Sequence, residues 1–249
     1  MTTITLMRTL SALLLAAMPV VASADLRVDA TRVVHQDNSP TATSIRVHNT
    51  GTQASLVQVW LDTADSDTPL ERLQTPLIAT PPIFRLEAGA NRDIQLRTAN
   101  TAGLPKDRES LLWLNIMDIP ARTAAAPPGP LQFAMRWRLK VFHRPSGLPG
   151  APDAAPTALQ WSVQTDSQGQ TRLQASNASP YFVSLAQLFL DGQPVPLDAS
   201  AAQVPPRGRW TQTLSSPPAR RREGVPVKFL WIDAKGIEHS AEGDATWVE

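Results

Sequence analysis

Four histidines, at 35, 48, 143 and 239, and no cysteine are what this chain of 249 residues offers toward metal chemistry. No two of the histidines share the spacing of a zinc site, and no thiolate stands by to complete one, so no metal is expected. There is no Gly-x-Ser-x-Gly elbow, no His-Glu-x-x-His and no glycine-rich phosphate loop. Asp62, Asp65 and Asp67 fall in what reads as a loop. The rest of a calcium-binding loop is missing around them, and they read as solvated carboxylates. With no nucleophile–base pair to name, the chain reads as a non-enzyme without a cofactor. Seven tryptophans remain, among them Trp60, Trp113 and Trp137. Exposed, they would line a sugar site; more often such residues pack a core or an interface.

What is left is the chemistry of backbone and charge, and one stretch concentrates it. Leu131, Phe133, Met135, Trp137, Leu139 and Val141 place an apolar side chain at every second position. That period belongs to a β-strand with one buried face. The strand is longer than the usual span of about five or six residues. Arg136, Arg138 and Lys140 lie between the apolar positions, and residues 131–144 include no acidic side chain. Two readings fit. The stretch is either a core strand with a charged outer face or a sheet edge awaiting another chain.

The elements that must position this strand follow from the rest of the chain. Residues 1–24 read as a secretory signal, with Arg8 as their one charge, an apolar run from Leu10 to Met18, and Ala22-Ser23-Ala24 before the expected cut. Removing Arg8 takes the 23 basic residues to 22, equal to the 22 acidic ones. A formally neutral chain gives no reason to expect a nucleic-acid partner. No other run approaches the roughly 18 apolar residues of a membrane span. An exported chain without cysteine must hold its fold by burial. Its length suits two antiparallel sandwiches of about 100 residues each.

Strand patterns recur at 25–36 (where Arg32 interrupts), 43–49, 55–62, 77–82, 92–98, 111–119 and then the long strand. Turn signals separate them, and no helical period competes, which reads as a β-sandwich. The proline- and glycine-rich run 145–152 reads as a stiff joint. Weaker strands follow at 158–165, 170–176, 181–190, 208–214, 226–233 and 237–247. The expected organisation is a signal peptide, 1–24; a first immunoglobulin-like domain, 25–146; a linker, 147–157; and a second such domain, 158–249.

Several motifs in order then point to a family. Leu104-Pro105-Lys106-Asp107-Arg108-Glu109-Ser110-Leu111-Leu112-Trp113-Leu114-Asn115-Ile116-Met117-Asp118-Ile119-Pro120 resembles the signature of the periplasmic pilus-assembly chaperones, the PapD-like family. Thr31-Arg32-Val33 resembles the family's first strand, Ile78 to Leu86 its proline-rich edge segment, and Lys140 to Pro145 the end of its seventh strand. The likeness covers nearly all of 25–146; in the second domain it centres on Trp231-Ile232-Asp233.

The resemblance implies an all-β fold of two immunoglobulin-like sandwiches, L-shaped, with a cleft between them. It implies a periplasmic location and a client: a pilus subunit that lacks a strand and exposes an apolar groove. The chaperone supplies its seventh strand, and Leu131, Phe133 and Met135 are the expected groove-fillers. Well buried, each contributes about 1.5–3 kcal/mol before ordering costs. By the same likeness Arg32 and Lys140 anchor the client's C-terminal carboxylate. Glu109, Arg144 and Asp233 form an interdomain ionic cluster, and an outer-membrane usher is a second partner. The short loop 121–130 and the missing cysteines resemble the family's short-loop branch, whose clients form pili more often than thin coats. An uncovered donor edge also offers itself to a second copy of the chain. The competing function is an exported immunoglobulin-like adhesion or carbohydrate-binding module built on exposed tryptophans. One detail strains against a flat strand: Lys140 has the opposite parity from Leu131, Phe133 and Met135, so a bulge or strong twist is expected between 135 and 140. Arg136 and Arg138 are expected to guard the edge while no client is bound.

Overall fold

The computed structural model describes residues 26–39, 41–63, 72–120, 133–218 and 224–248. The targeting segment, Asp65, Asp67, the 121–130 loop and Leu131 lie outside the described residues. The regular structure of the described chain is almost all strand, in two immunoglobulin-like domains.

The first domain stacks two sheets. One consists, in spatial order, of β1 (Leu26–Val28), β3 (Thr43–Asn49), β7 (Asn91–Thr98) and β5 (Leu77–Thr80). The other runs β2 (Arg32–Gln36), β9 (Met135–Arg144), β8 (Ser110–Pro120), β4 (Ser55–Asp62) and β6 (Ile83–Leu86). Alternation explains the core: Ile45 and Val47, Val57 and Val59, Ile94 and Leu96, Leu112 and Leu114, and Leu139 and Val141 all turn inward and are buried. Two segments cross from one sheet to the other. The first does so at 29–31, and Arg32 does not interrupt a strand as expected but begins the second half of it. The other crosses at Pro81-Pro82, where two residues without an N–H end one ladder before the next begins.

The second domain holds β10 (Gln160–Thr165), β11 (Thr171–Asn177), β12 (Val183–Leu190), β13 (Gln193–Pro194), β14 (Gln203–Val204), β15 (Gly208–Thr213), β16 (Val225–Ile232) and β17 (Glu238–Val248). The six expected strands are present; β13 and β14, two residues each among prolines, are too short to show a period. The hydrogen bonds form one continuous path, β13-β12-β16-β17-β10-β11-β15. From Glu238 to Ala245 β17 lies antiparallel to β16, and from Ala245 to Val248 it runs parallel to β10. It thereby carries the path around a core that includes Trp161, Val163, Leu173, Leu188, Val227 and Phe229.

The joint is attached to the second domain rather than strung between the two. Two 3-10 turns, Pro152–Ala154 and Pro156–Ala158, bring Ala155 and Leu159 into the second core. The Tyr181 hydroxyl donates to the Gly150 carbonyl at 3.1 Å. The domains touch directly as well. The Glu109 N–H donates to the Pro180 carbonyl at 2.9 Å, and the Phe142 and Phe182 rings lie 5.5 Å apart. At the β16–β17 turn, Gly236 has φ +85° and lies so close to Thr31 that an added Cβ would stand 2.6 Å from its hydroxyl. That turn sets the second domain against the start of β2.

Candidate functional site

The two edges of β9 are treated differently by the fold. On one side β8 pairs with it without interruption, from Ser110 opposite His143 to Asp118 opposite Met135. On the other side β2 pairs in parallel, but only from Arg32 opposite Lys140 to Gln36 opposite Arg144. Among the described residues, the backbone of 135–139 has no strand on that side. A row of N–H and C=O groups there is open to another chain.

Burial follows the same division. Trp137, Leu139 and Val141 point into the first core, in the row that Met135 and Phe133 continue toward the strand's start. The domain cannot cover that continuation: Met135 is 45% exposed and Phe133 67%. The regular strand begins at Met135 rather than at 131. In the β8 register Phe133 would lie opposite Pro120, which has no N–H to donate. Of the bulge or strong twist expected between 135 and 140, the bulge is absent, because the β8–β9 register does not shift. Arg136, Arg138, Lys140, Phe142 and Arg144 therefore stay on one face, and the apolar row stays on the other.

Arg32 and Lys140 are register partners across the parallel β2–β9 seam. Arg32 Nη1 donates to the Ile232 carbonyl at 3.0 Å, while its Nε is buried without a hydrogen-bond partner. Burial lowers the guanidinium pKa, and the nearby Asp233 opposes that shift. Lys140 Nζ donates to the Ala199 carbonyl at 2.7 Å and stands 5.6 Å from the centre of the Trp113 ring. Burial, and then the charge of Arg32, lower the Lys140 pKa to about 8, with Asp198 pulling the other way. Two like charges, half-buried side by side, make a place where an anion is favoured.

The three residues expected as an ionic cluster line one cleft, together with Arg32, Phe142 and Trp231. Arg144 Nε meets Glu109 Oε1 at 2.7 Å, and Glu109 Oε2 accepts the Phe182 N–H at 2.8 Å. Glu109 is 4% exposed, so its carboxylate joins the domains in a dry setting. Asp233 is arranged otherwise. Its Oδ1 accepts the N–H groups of Lys235 and Ile237, and its Oδ2 lies 3.0 Å from His239 Nε2. It shapes the hairpin turn and faces Arg32 electrostatically.

Residue spacing gave no sign of two other groupings. Asp62 is not a solvated loop carboxylate but the buried last residue of β4. Arg138 Nη2 donates to its Oδ1 at 3.0 Å, and the Asn115 amide donates to its Oδ2 at 2.9 Å. The Arg138 guanidinium lies 4.4 Å above the Trp113 ring, so this side chain does not stand guard at the edge. Arg136 does remain exposed. His35 and His143, 108 positions apart by number, meet across the β2–β9 seam with ring centres 6.2 Å apart. Trp113, Trp161 and Trp210 are buried, and Trp60, Trp137, Trp231 and Trp247 are partly buried, so the tryptophans do not favour the sugar-binding alternative.

Comparison with known proteins agrees with this geometry. The family model for the pili and flagellar-assembly chaperone, PapD N-terminal domain, matches residues 25–149. That for the pili assembly chaperone PapD, C-terminal domain, matches 154–243. The probable fimbrial chaperone YadV of Escherichia coli K12 is 37% identical over 180 residues, covering 70% of this chain and 72% of its own. The chaperone protein MrkB of Klebsiella pneumoniae is 32% identical over 192 residues, 76% of this chain and 79% of its own. The crystal structure of YadV superposes with a TM-score of 0.71 over 89% of this chain and 100% of that one, at 30% identity. The Salmonella enterica complex of the SafA pilin with the SafB chaperone superposes with a TM-score of 0.73 over 90% of this chain and 98% of that one, at 25% identity.

Proposed function

This chain belongs to the PapD family of pilus-assembly chaperones, and from that premise we propose that it completes pilus subunits in the periplasm with the uncovered half of β9. The observation that carries the reading is the bare edge of 135–139, continuous with an apolar row that runs from the core into solvent at Met135 and Phe133. A subunit missing a strand pairs its backbone with that edge. Main-chain bonds give affinity with little dependence on client sequence, and Phe133 and Met135, with Leu131 beyond them, fill its groove. Arg32 and Lys140 take the client's terminal carboxylate and fix the register of the pairing. The complex is then delivered to an outer-membrane usher. In the absence of a client the same edge accepts a second copy of the chain.

The test is co-expression with the pilus subunit that co-purifies with the tagged chain. Arg32→Ala and Lys140→Ala each lose the one-to-one complex while melting as the wild type does. Full binding by both variants refutes the anchor. Lys140 must carry its proton to hold a carboxylate, and its pKa lies at about 8. The complex therefore loosens as pH rises through that value, and the isolated chaperone stays folded.

A further inference from the structure

The two anchor cations are already engaged in the free protein, each by a carbonyl oxygen of the second domain: Ile232 for Arg32 and Ala199 for Lys140. Each also feels a second-domain carboxylate, Asp233 and Asp198 respectively. The two attachments differ in how they are built. Ile232 ends β16 and is paired with Ser184 on one side and Glu238 on the other. The turn beyond it is closed by the Asp233 N–H bond to the Ile237 carbonyl and rests on Thr31. Ala199 belongs instead to an exposed turn between the two-residue strands β13 and β14. That turn is organised by itself: the Ser200 N–H and hydroxyl donate to Asp198 Oδ1 at 2.8 and 2.7 Å, and the Ala201 N–H donates to the Asp198 carbonyl at 2.9 Å. It reaches the first domain through Lys140.

At Lys140 this turn presents an oxygen within hydrogen-bond distance and a carboxylate nearby. A chain-terminal carboxylate would present the same chemistry, with its charge and its oxygen on one group. We propose that the turn Asp198–Ala201 is a resident stand-in for the client's chain end, capping the Lys140 ammonium in the free protein and leaving it when a subunit docks, while Arg32 keeps its bond to Ile232. The proposal rests on the reading of Lys140 as an anchor. The direction of exchange follows from bond strength: a charged acceptor holds an ammonium more tightly than a neutral carbonyl does. Until that exchange, the cap compensates an ammonium that burial and Arg32 both disfavour.

Hydrogen–deuterium exchange over 197–203 in the full-length chain tests the cap without any client. Lys140→Met keeps the apolar stem over Trp113 and removes the donor; exchange in that segment should rise about tenfold. Lys140→Arg restores slow exchange, and Arg32→Met leaves the segment unchanged. A variant that loses its fold would exchange across both domains, and Lys140→Gln, which keeps a neutral donor, then serves in its place, with a smaller rise confined to the turn. In the wild type, adding the co-purified subunit should speed exchange in 197–203 even as residues 135–139 become protected. Equal exchange in wild type and Lys140→Met, or protection of the turn in the complex, overturns the proposal. The anchor itself fails differently, by subunit binding that survives both Arg32→Ala and Lys140→Ala.

Discussion

Met135–Leu139 and Lys140–Arg144 are halves of one strand with the same alternation and different surroundings. In the second half Val141, Phe142 and His143 are all buried, 0%, 5% and 1% exposed, between β8, β2 and the second domain. In the first half only Leu139 is buried, and one backbone edge has no partner among the described residues. The apolar type of a residue therefore does not say what it packs against. β2 starts at Arg32, and that starting point divides the strand into a part that holds the domain together and a part with one edge uncovered among the described residues.

The largest effect expected from this division comes from placing the same charge in each half. Val141→Asp buries a carboxylate in a core with nothing to pair it, at a cost of several kcal/mol, and should leave no cooperative melting transition. Met135→Asp puts the carboxylate into water and should change stability by less than about 0.5 kcal/mol. Its effect belongs to the client, whose apolar groove would have to accept a charge, and the co-purified complex should disappear. Thermal melting and co-purification of the two variants check both halves at once. A destabilised Met135→Asp would show that the upper half also supports the fold.

How far the sequence revealed this division can be judged from particular residues. The alternation from Leu131 to Val141 made the strand legible, and the Leu104–Pro120 motif made the family and the two-sandwich fold legible. The place where β2 begins was not. Arg32 looked like an interruption because a polar residue in an apolar pattern gives no hint that the chain is changing sheets at 29–31. The parity of Lys140 against Met135 was readable, but the bulge invoked to reconcile them was unnecessary: the core row and the cationic row occupy opposite faces of a regular strand. Asp62 beside Arg138, and His35 beside His143, are long-range products of strand order, which no local spacing encodes. The turn that meets Lys140 comes from the other domain, and its residues carry no motif.

A second test works at the foot of the covered half. Glu109 receives both Arg144 and the Phe182 N–H in a nearly dry site. Glu109→Ala leaves a guanidinium and an amide without their acceptor and should cost about 3–5 kcal/mol. Glu109→Gln keeps an acceptor for the amide and should cost distinctly less. Urea denaturation of the three proteins measures this. If the cluster chiefly sets the angle between domains, small-angle scattering will change for Glu109→Ala before the melting curve does.

A smaller effect is expected on the outer face of the uncovered half. Arg138→Met should cost about 1–3 kcal/mol, because Asp62 stays buried with Asn115 as its remaining side-chain donor among the described residues. Adding Asp62→Asn should recover part of that loss, since the stranded charge goes with it. The comparison is sharpened by the result: one edge of this half is free, yet its outer face is tied into the domain. A double-mutant cycle in urea gives the coupling.

The smallest effect lies in the seam that covers the lower half. His35 is buried, with its ring nitrogens 2.9 Å from the Thr43 hydroxyl and 3.0 Å from the Thr98 hydroxyl, and with His143 stacked beside it. Burial, and then His143, push its pKa below 6.5, with Asp37 opposing. As pH falls below that reference value the unfolded chain takes up the proton before the folded one does. Stability is therefore lost from pH 6.5 downward until the folded His35 titrates too. His35→Gln can still bond to both hydroxyls and should flatten that part of the acid limb in urea midpoints measured between pH 7 and 5. The client edge at 135–139 carries no histidine, so subunit affinity should not follow the same curve. An acid limb unchanged by His35→Gln would move its origin away from the β2–β9 seam.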